Sequence, residues 1–225
     1  MKPIVTLAEA TLANGSQLAL QEHDGRRYLV SNQEQIAGPG TRVSERELAR
    51  IACAPFRPAR QPKVWITGLA LGETLEGLVE SLNQKRATFY VGEASDELVA
   101  WHREFFAEGA FTTDPRVERI NGHDAAALNS VEPQLHAILI HADTAPLLPS
   151  GRGSHEDRRW LSVAFDSLQS GGLIAVASSR KIPKMERNFE NAGFKVAYHE
   201  IDAIPNARRP RRHHLWLGRK GEYAG

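Results

Sequence analysis

KVWITGLALGETLEGLVESLNQKRATFYVGE, residues 63–93, reads as strand, glycine-flanked turn, helix, strand and acid. KVWIT at 63–67 is a short apolar run, the length of a buried strand. Gly68 and Gly72 bracket a tight turn. From Glu73 to Gln84, Leu75, Leu78, Val79 and Leu82 recur at the spacing of an amphipathic helix. ATFYV at 87–91 is a second apolar strand, and Glu93 stands just past its end. A β-α-β unit of this size is the half-unit of a doubly wound sheet that binds nucleotides. In such a unit the turn and the helix N-terminus offer backbone N–H groups to a ligand, and an acid after the second strand accepts ribose hydroxyls. Gly68 and Gly72 equally make a plain strand-to-helix turn, and Glu93 equally serves as a helix-dipole or N-cap residue.

The rest of the composition narrows the class. The chain has 225 residues, 41% hydrophobic and 24% charged, the profile of a globular domain able to bury a core. A formal net charge of +1 supplies no overall pull towards nucleic acid or membrane. Cys53 is the only cysteine, which excludes an internal disulfide and a cysteine-based metal site, so no metal is expected. No apolar run approaches the roughly 20 residues of a membrane span. MKPIVTLAEAT at the start is a poor signal peptide, and a cytoplasmic location is expected.

Outward from the central unit, residues 17–23 and 26–32 flank Asp24-Gly25, a strong hairpin signal, and a third short strand is expected over Gln35–Ala37. Ser44-Glu45-Arg46-Glu47 spells a capping box, so a helix is expected from Ser44 to about Cys53. APFRPARQPK then reads as a linker, which divides the chain into a small β element with its helix at 1–56 and a larger domain at 63–225. Beyond Glu93, Ser95 caps a helix to about Phe106, and a short strand ends at Ile120 before Gly122-His123-Asp124. LHAILIHAD at 135–143 is a buried strand, followed by a helix at 154–169, the strand LIAVAS at 173–178 and a helix at 182–192 closed by Gly193. FKVAYHEI and HHLWLGR finish as strands, the last one inserted antiparallel. The alternation predicts an α/β fold with three layers, α/β/α, and a mostly parallel sheet.

In order and spacing these segments resemble the class I S-adenosylmethionine-dependent methyltransferase fold, Rossmann-like in architecture, and within it the spermidine/spermine synthase (polyamine aminopropyltransferase) family. The resemblance covers nearly the whole chain. It rests on the N-terminal hairpins, SERELARIA, ITGLALGETL as the glycine motif, YVGEASDELVAWHREF, DPRVERINGHDAAAL, ILIHADTAP and QSGGLIAVASS. It implies S-adenosylmethionine or its decarboxylated form as cofactor, held by Gly68, Gly72, Glu93 and Asp124. It also implies a small-molecule acceptor such as an amine near Asp143 and His141, and a homodimer built through the N-terminal β element. The chain departs from the family in one telling place. Where the family carries two aspartates before a proline, this segment reads His141-Ala-Asp143-Thr-Ala145-Pro146, with one.

The chemistry fits such a site in outline. Displacement at a sulfonium carbon is mostly a matter of positioning, and an amine must be neutral to attack, so a base nearby helps. Asp143 and His141 lie at a parallel-strand C-terminus, where these sheets bind ligands. Each also has a plain reading, Asp143 bonding its own loop and His141 as a half-buried strand-end residue. Asp124 is at once an adenine-side acid and an N-cap before AAAL. Arg208, Arg209, Arg211, Arg212, His213 and His214 form a basic loop that would suit an anionic partner such as RNA, or simply face water. A non-catalytic descendant of the fold and an RNA methyltransferase are the competing readings.

Overall fold

The computed structural model describes residues 3–148, 153–203 and 211–221. Four strands come first: β1 (Val5–Thr11), β2 (Gln17–His23), β3 (Arg26–Ser31) and β4 (Glu34–Ala37), paired antiparallel in that order. Asp24 and Gly25 both take positive φ, 49° and 70°, the backbone that a two-residue hairpin turn demands. β1 lies outside the three-strand expectation. Its alternation is faint, with Leu7, Ala8 and Ala10 only partly buried against the small sheet.

Helix α1 (Pro39–Cys53) begins five residues before the expected capping box. Pro39 at its first turn sets the helical φ without needing an N–H partner, and the Gly38 N–H donates to Thr41 Oγ1 at 3.1 Å. Ser44 is therefore interior and buried, its hydroxyl donating to the Thr41 carbonyl at 2.8 Å. Glu47 pairs with Arg50 on the surface rather than turning back to Ser44. The expected linker is also anchored. Ala54–Phe56 form a 3-10 turn, and Phe56 is buried edge-on against His136.

The α/β part runs β5 (Lys63–Thr67), α2 (Glu73–Ser81), β6 (Thr88–Gly92), α3 (Asp96–Phe105), α4 (Ala110–Thr113), β7 (Val117–Ile120), α5 (Ala125–Asn129), β8 (Leu135–His141), α6 (Arg158–Ser167), β9 (Leu168–Ser178), α7 (Met185–Asn191), β10 (Lys195–Asp202) and β11 (Arg212–Arg219). One seven-stranded sheet takes the order β10-β11-β9-β8-β5-β6-β7. β11 runs antiparallel to β10 and β9 between them, and the other pairs are parallel. Chain direction across the sheet reverses between β5 and β8, the switch point where such sheets open a crevice. Of the basic loop, Arg208 and Arg209 lie outside the described residues, as do Pro149 and Gly151. No helix among the described residues is long and apolar enough to cross a membrane.

Period-2 alternation divides the core. Val64 and Ile66 face α1 and α2 with Leu48, Leu75 and Leu78. Trp65, between them in sequence, faces the opposite layer with Ile138, Trp160, Leu161 and Trp216. A third cluster seats the small sheet on the large unit, joining Leu18, Leu20 and Leu29 to Ala70, Leu98 and Trp101. Gly92 marks the tightest approach. A Cβ there would lie 2.2 Å from Trp65 Cζ2 and 2.8 Å from the Gly122 carbonyl oxygen. Trp65 is fully buried and its Nε1–H donates to Thr67 Oγ1 at 2.9 Å, so the ring has no room to yield. Gly92→Ala is expected to cost about 3 kcal/mol of stability by overpacking. Equal urea midpoints for the variant and the parent would show that the ring does give way.

Candidate functional site

β5 to β9 end along one edge of the sheet, and the loops there bring the expected residues together. Gly68 and Gly72 hold φ of 81° and 84°, which glycine alone adopts cheaply. Between them Ala70 also takes a positive φ, 45°. Its carbonyl accepts the His102 Nε2–H at 2.9 Å, and the His102 ring packs where a Cβ on Gly72 would stand, 3.1 Å from Cε1. Leu69 points into the main core and Ala70 into the cluster under the small sheet. The loop is thus tied down on both sides.

Glu93 is 6% exposed and faces this loop. Its Oε2 accepts the Leu69 N–H at 2.9 Å and its Oε1 accepts the Ser95 N–H at 2.8 Å. Burial pushes its pKa up, against the pull of those amides and Arg119. Ser95 in turn caps α3 by accepting the Leu98 N–H at 3.1 Å. Asp124 caps α5, Oδ1 accepting the Ala127 N–H at 2.8 Å. It also lines a cleft of about 830 Å³ with Ala94, Gly122, His123 and Trp160, next along the chain to Glu93. The Trp160 Nε1–H donates to the His123 carbonyl at 2.9 Å, which fixes the indole as one wall.

Asp143 follows β8 and is held by the end of β9. Oδ1 accepts the Ser178 hydroxyl at 2.8 Å, and Oδ2 accepts the Ser179 N–H at 3.0 Å. Burial works to raise its pKa, but His141 and these donors prevail and hold it below the ordinary aspartate value. Asp143 is therefore held in its ionised form, a weak base. His141 is 5% exposed, and both its ring nitrogens are buried with no hydrogen-bond partner among the described residues.

Around this pair sits a polar set whose place at the site sequence reasoning missed, His213 being expected in the basic loop instead. Glu45 is buried on α1 and accepts the Thr41 hydroxyl at 2.8 Å; burial raises its pKa. His213, fully buried at the start of β11, meets Ser44 Oγ at 2.7 Å through Nδ1. Because the Ser44 hydroxyl already donates to Thr41, the consistent assignment puts the His213 proton on Nδ1 and leaves Nε2 bare. Burial lowers the pKa of both His213 and His155 to about 4. Ser178 and Ser179 carried a local signal, hydroxyls directly after a buried apolar run. Glu45 and His155 carried none.

Known structures share this fold. The chain superposes on a spermidine synthase in complex with the transition-state analogue AdoDATO with a TM-score of 0.72 at 13% identity, covering 96% of this chain and 72% of that one. The chain has the fold of a spermidine synthase. A probable spermidine synthase from Corynebacterium glutamicum matches with a TM-score of 0.64 at 12% identity, over 98% of this chain and 81% of that one. The precorrin-6y C5,15-methyltransferase of Geobacter metallireducens GS-15 matches with a TM-score of 0.57 at 11% identity, over 80% and 87%. No protein-family model matches the sequence, and no curated protein matches it.

The cleft is walled by Trp160 and Gly122, with Asp124 in its lining. Glu93 accepts the Leu69 and Ser95 N–H groups, and the Ala94 amide and Arg119 also favour its carboxylate.

Proposed function

We propose that the protein is a transferase that binds a sulfonium nucleoside, S-adenosylmethionine or its decarboxylated form, and passes a methyl or aminopropyl group to a small acceptor. The observation that carries this reading is the pairing of two cavities on one strand-end edge. The cleft beside Glu93 suits the nucleoside, and a separate pocket of about 300 Å³ has the ionised Asp143 in its wall. A bound sulfonium nucleoside supplies the transferable carbon and its leaving group. The chain's own part is positioning. Glu93 accepts ribose hydroxyls, Asp124 borders the base, Gly68 and Gly72 let the loop approach, and Asp143 orients a positively charged acceptor. Asp143, held below the ordinary aspartate value, is a poor base for the acceptor's proton, so its part is to orient the acceptor.

A second reading, a non-catalytic binding or scaffold descendant of the fold, is favoured by one observation. His102 and Glu93 both hold the glycine loop from within, as a structural loop would be held. A thermal-shift titration with S-adenosylmethionine, its decarboxylated form, methylthioadenosine and S-adenosylhomocysteine separates the cases. Ligand at about 100 times its dissociation constant adds roughly 2.7 kcal/mol. Stabilisation by the decarboxylated form or methylthioadenosine alone identifies aminopropyl chemistry, and stabilisation by S-adenosylmethionine and S-adenosylhomocysteine identifies methyl transfer. No stabilisation by any of the four removes the transferase reading.

A further inference from the structure

The pocket that holds Asp143 has a second wall of opposite sign. Arg211 reaches it from the start of β11, its Nη1 3.9 Å from where a Cβ on Gly40 would stand. Gly40 and Thr41 line the same wall and belong to the first turn of α1, a helix of 15 residues whose dipole presents its positive end there. Two further charges border the pocket, Arg180 and Glu34, but they answer each other, with Nη2 and Oε1 2.6 Å apart. What remains without a salt-bridge partner among the described residues is one carboxylate and one guanidinium. His141 and the contacts to Ser178 and Ser179 hold Asp143 ionised, and a lone pair is left on Oδ2. Arg211 has, among the described residues, no carboxylate within salt-bridge distance.

A diamine would place one ammonium at Asp143 and the other against Arg211 and the helix end. A dicarboxylate would place one end against Asp143. Either meets a like charge at one end of the pocket, which disfavours it against a molecule that carries both signs. We propose that this pocket takes a small amine that also carries a carboxylate, with the ammonium end at Asp143 and the carboxylate end between Arg211 and the first turn of α1. This rests on the transferase reading for the pocket's role as the acceptor site, and it replaces the polycation that the family resemblance implies with a zwitterion. The volume of about 300 Å³ suits a small molecule and not a polymer.

Three probes of one backbone length isolate the charges: putrescine, γ-aminobutyrate and succinate, titrated calorimetrically into the full chain without nucleoside. γ-Aminobutyrate is expected to bind at least about tenfold more tightly than either of the others. Arg211→Gln, on the exposed rim, is expected to erase the preference over putrescine, and Arg211→Glu to reverse it. Preference for putrescine in the parent protein overturns the proposal, as does the absence of binding by all three, or an unchanged preference in both Arg211 variants. Nucleoside binding is read in a separate titration. Failure of the transferase reading with γ-aminobutyrate still bound is thereby distinct from failure of the zwitterion site itself.

Discussion

Acidification from about pH 7 to about pH 5 is expected to remove about 2 kcal/mol of stability through each of two buried rings, His155 and His213. Both are depressed by burial from an ordinary value of 6.5 to about 4. The nearby Asp143 favours their protonation, but burial outweighs it. The folded state therefore binds fewer protons than the unfolded chain across that interval. The contribution is fully present above the unfolded value near 6.5 and is lost as pH falls towards 4. Glu45 and Glu93 run the other way, since burial raises both and their protonation favours the folded state as pH falls. The test is accordingly differential. Urea unfolding of the parent, His155→Leu and His213→Leu at the two pH values should show each variant losing about 2 kcal/mol less on acidification. Parallel pH profiles for parent and variants would mean that neither ring is held neutral.

Replacing Glu93 is expected to be the most damaging single change at the site. Two backbone donors, from Leu69 and Ser95, converge on its two oxygens in a nearly solvent-free position. Glu93→Ala leaves both amides without their acceptor, and buried donors stripped of a partner cost about 1–3 kcal/mol each. A total of about 3 kcal/mol is expected, with the 68–72 loop loosening first. Glu93→Gln is a sharper probe. Its amide offers one oxygen and one NH2 to two donors, so one amide faces another donor and the loss persists despite equal size. Both variants should also lose any nucleoside-induced rise in melting temperature. Glu93→Gln with parental stability and parental nucleoside response would remove this residue from both roles.

Much of the fold was legible because its signals are local. The apolar run KVWIT, the helical spacing of Leu75 and Leu78, Ser95 before its helix and Asp24-Gly25 between two strands each fix an element from within a few residues. Reading failed where a motif matched the wrong competitor. Ser44 to Glu47 spells a capping box, yet Gly38-Pro39 starts the helix earlier, and Ser44 spends its hydroxyl on Thr41 and His213. β1 went unseen because a strand whose partners bury so little of it needs no strong pattern. At the site, the strand-end positions of Glu93, Asp124, His141 and Asp143 followed from topology. Their hydrogen-bond partners did not. Glu45 reaches the Asp143 region from α1, and His213 arrives from the far end of the chain. No spacing rule encodes contacts made across so many residues.

The placement of β11 has a consequence for how the chain is made. Synthesis is vectorial, and β10 emerges from the ribosome before the strand that must lie between it and β9. Until residues 212–219 are free, β9 presents an unpaired edge of buried apolar residues, Leu173 to Ala177, and β10 has no sheet to join. An exposed edge of that kind is a template for pairing with other chains. The nascent protein therefore passes through a late interval in which its largest sheet is incomplete at the centre of one half. Chaperone capture, or slow translation after Asp202, would act on that interval and not on the earlier β-α-β unit.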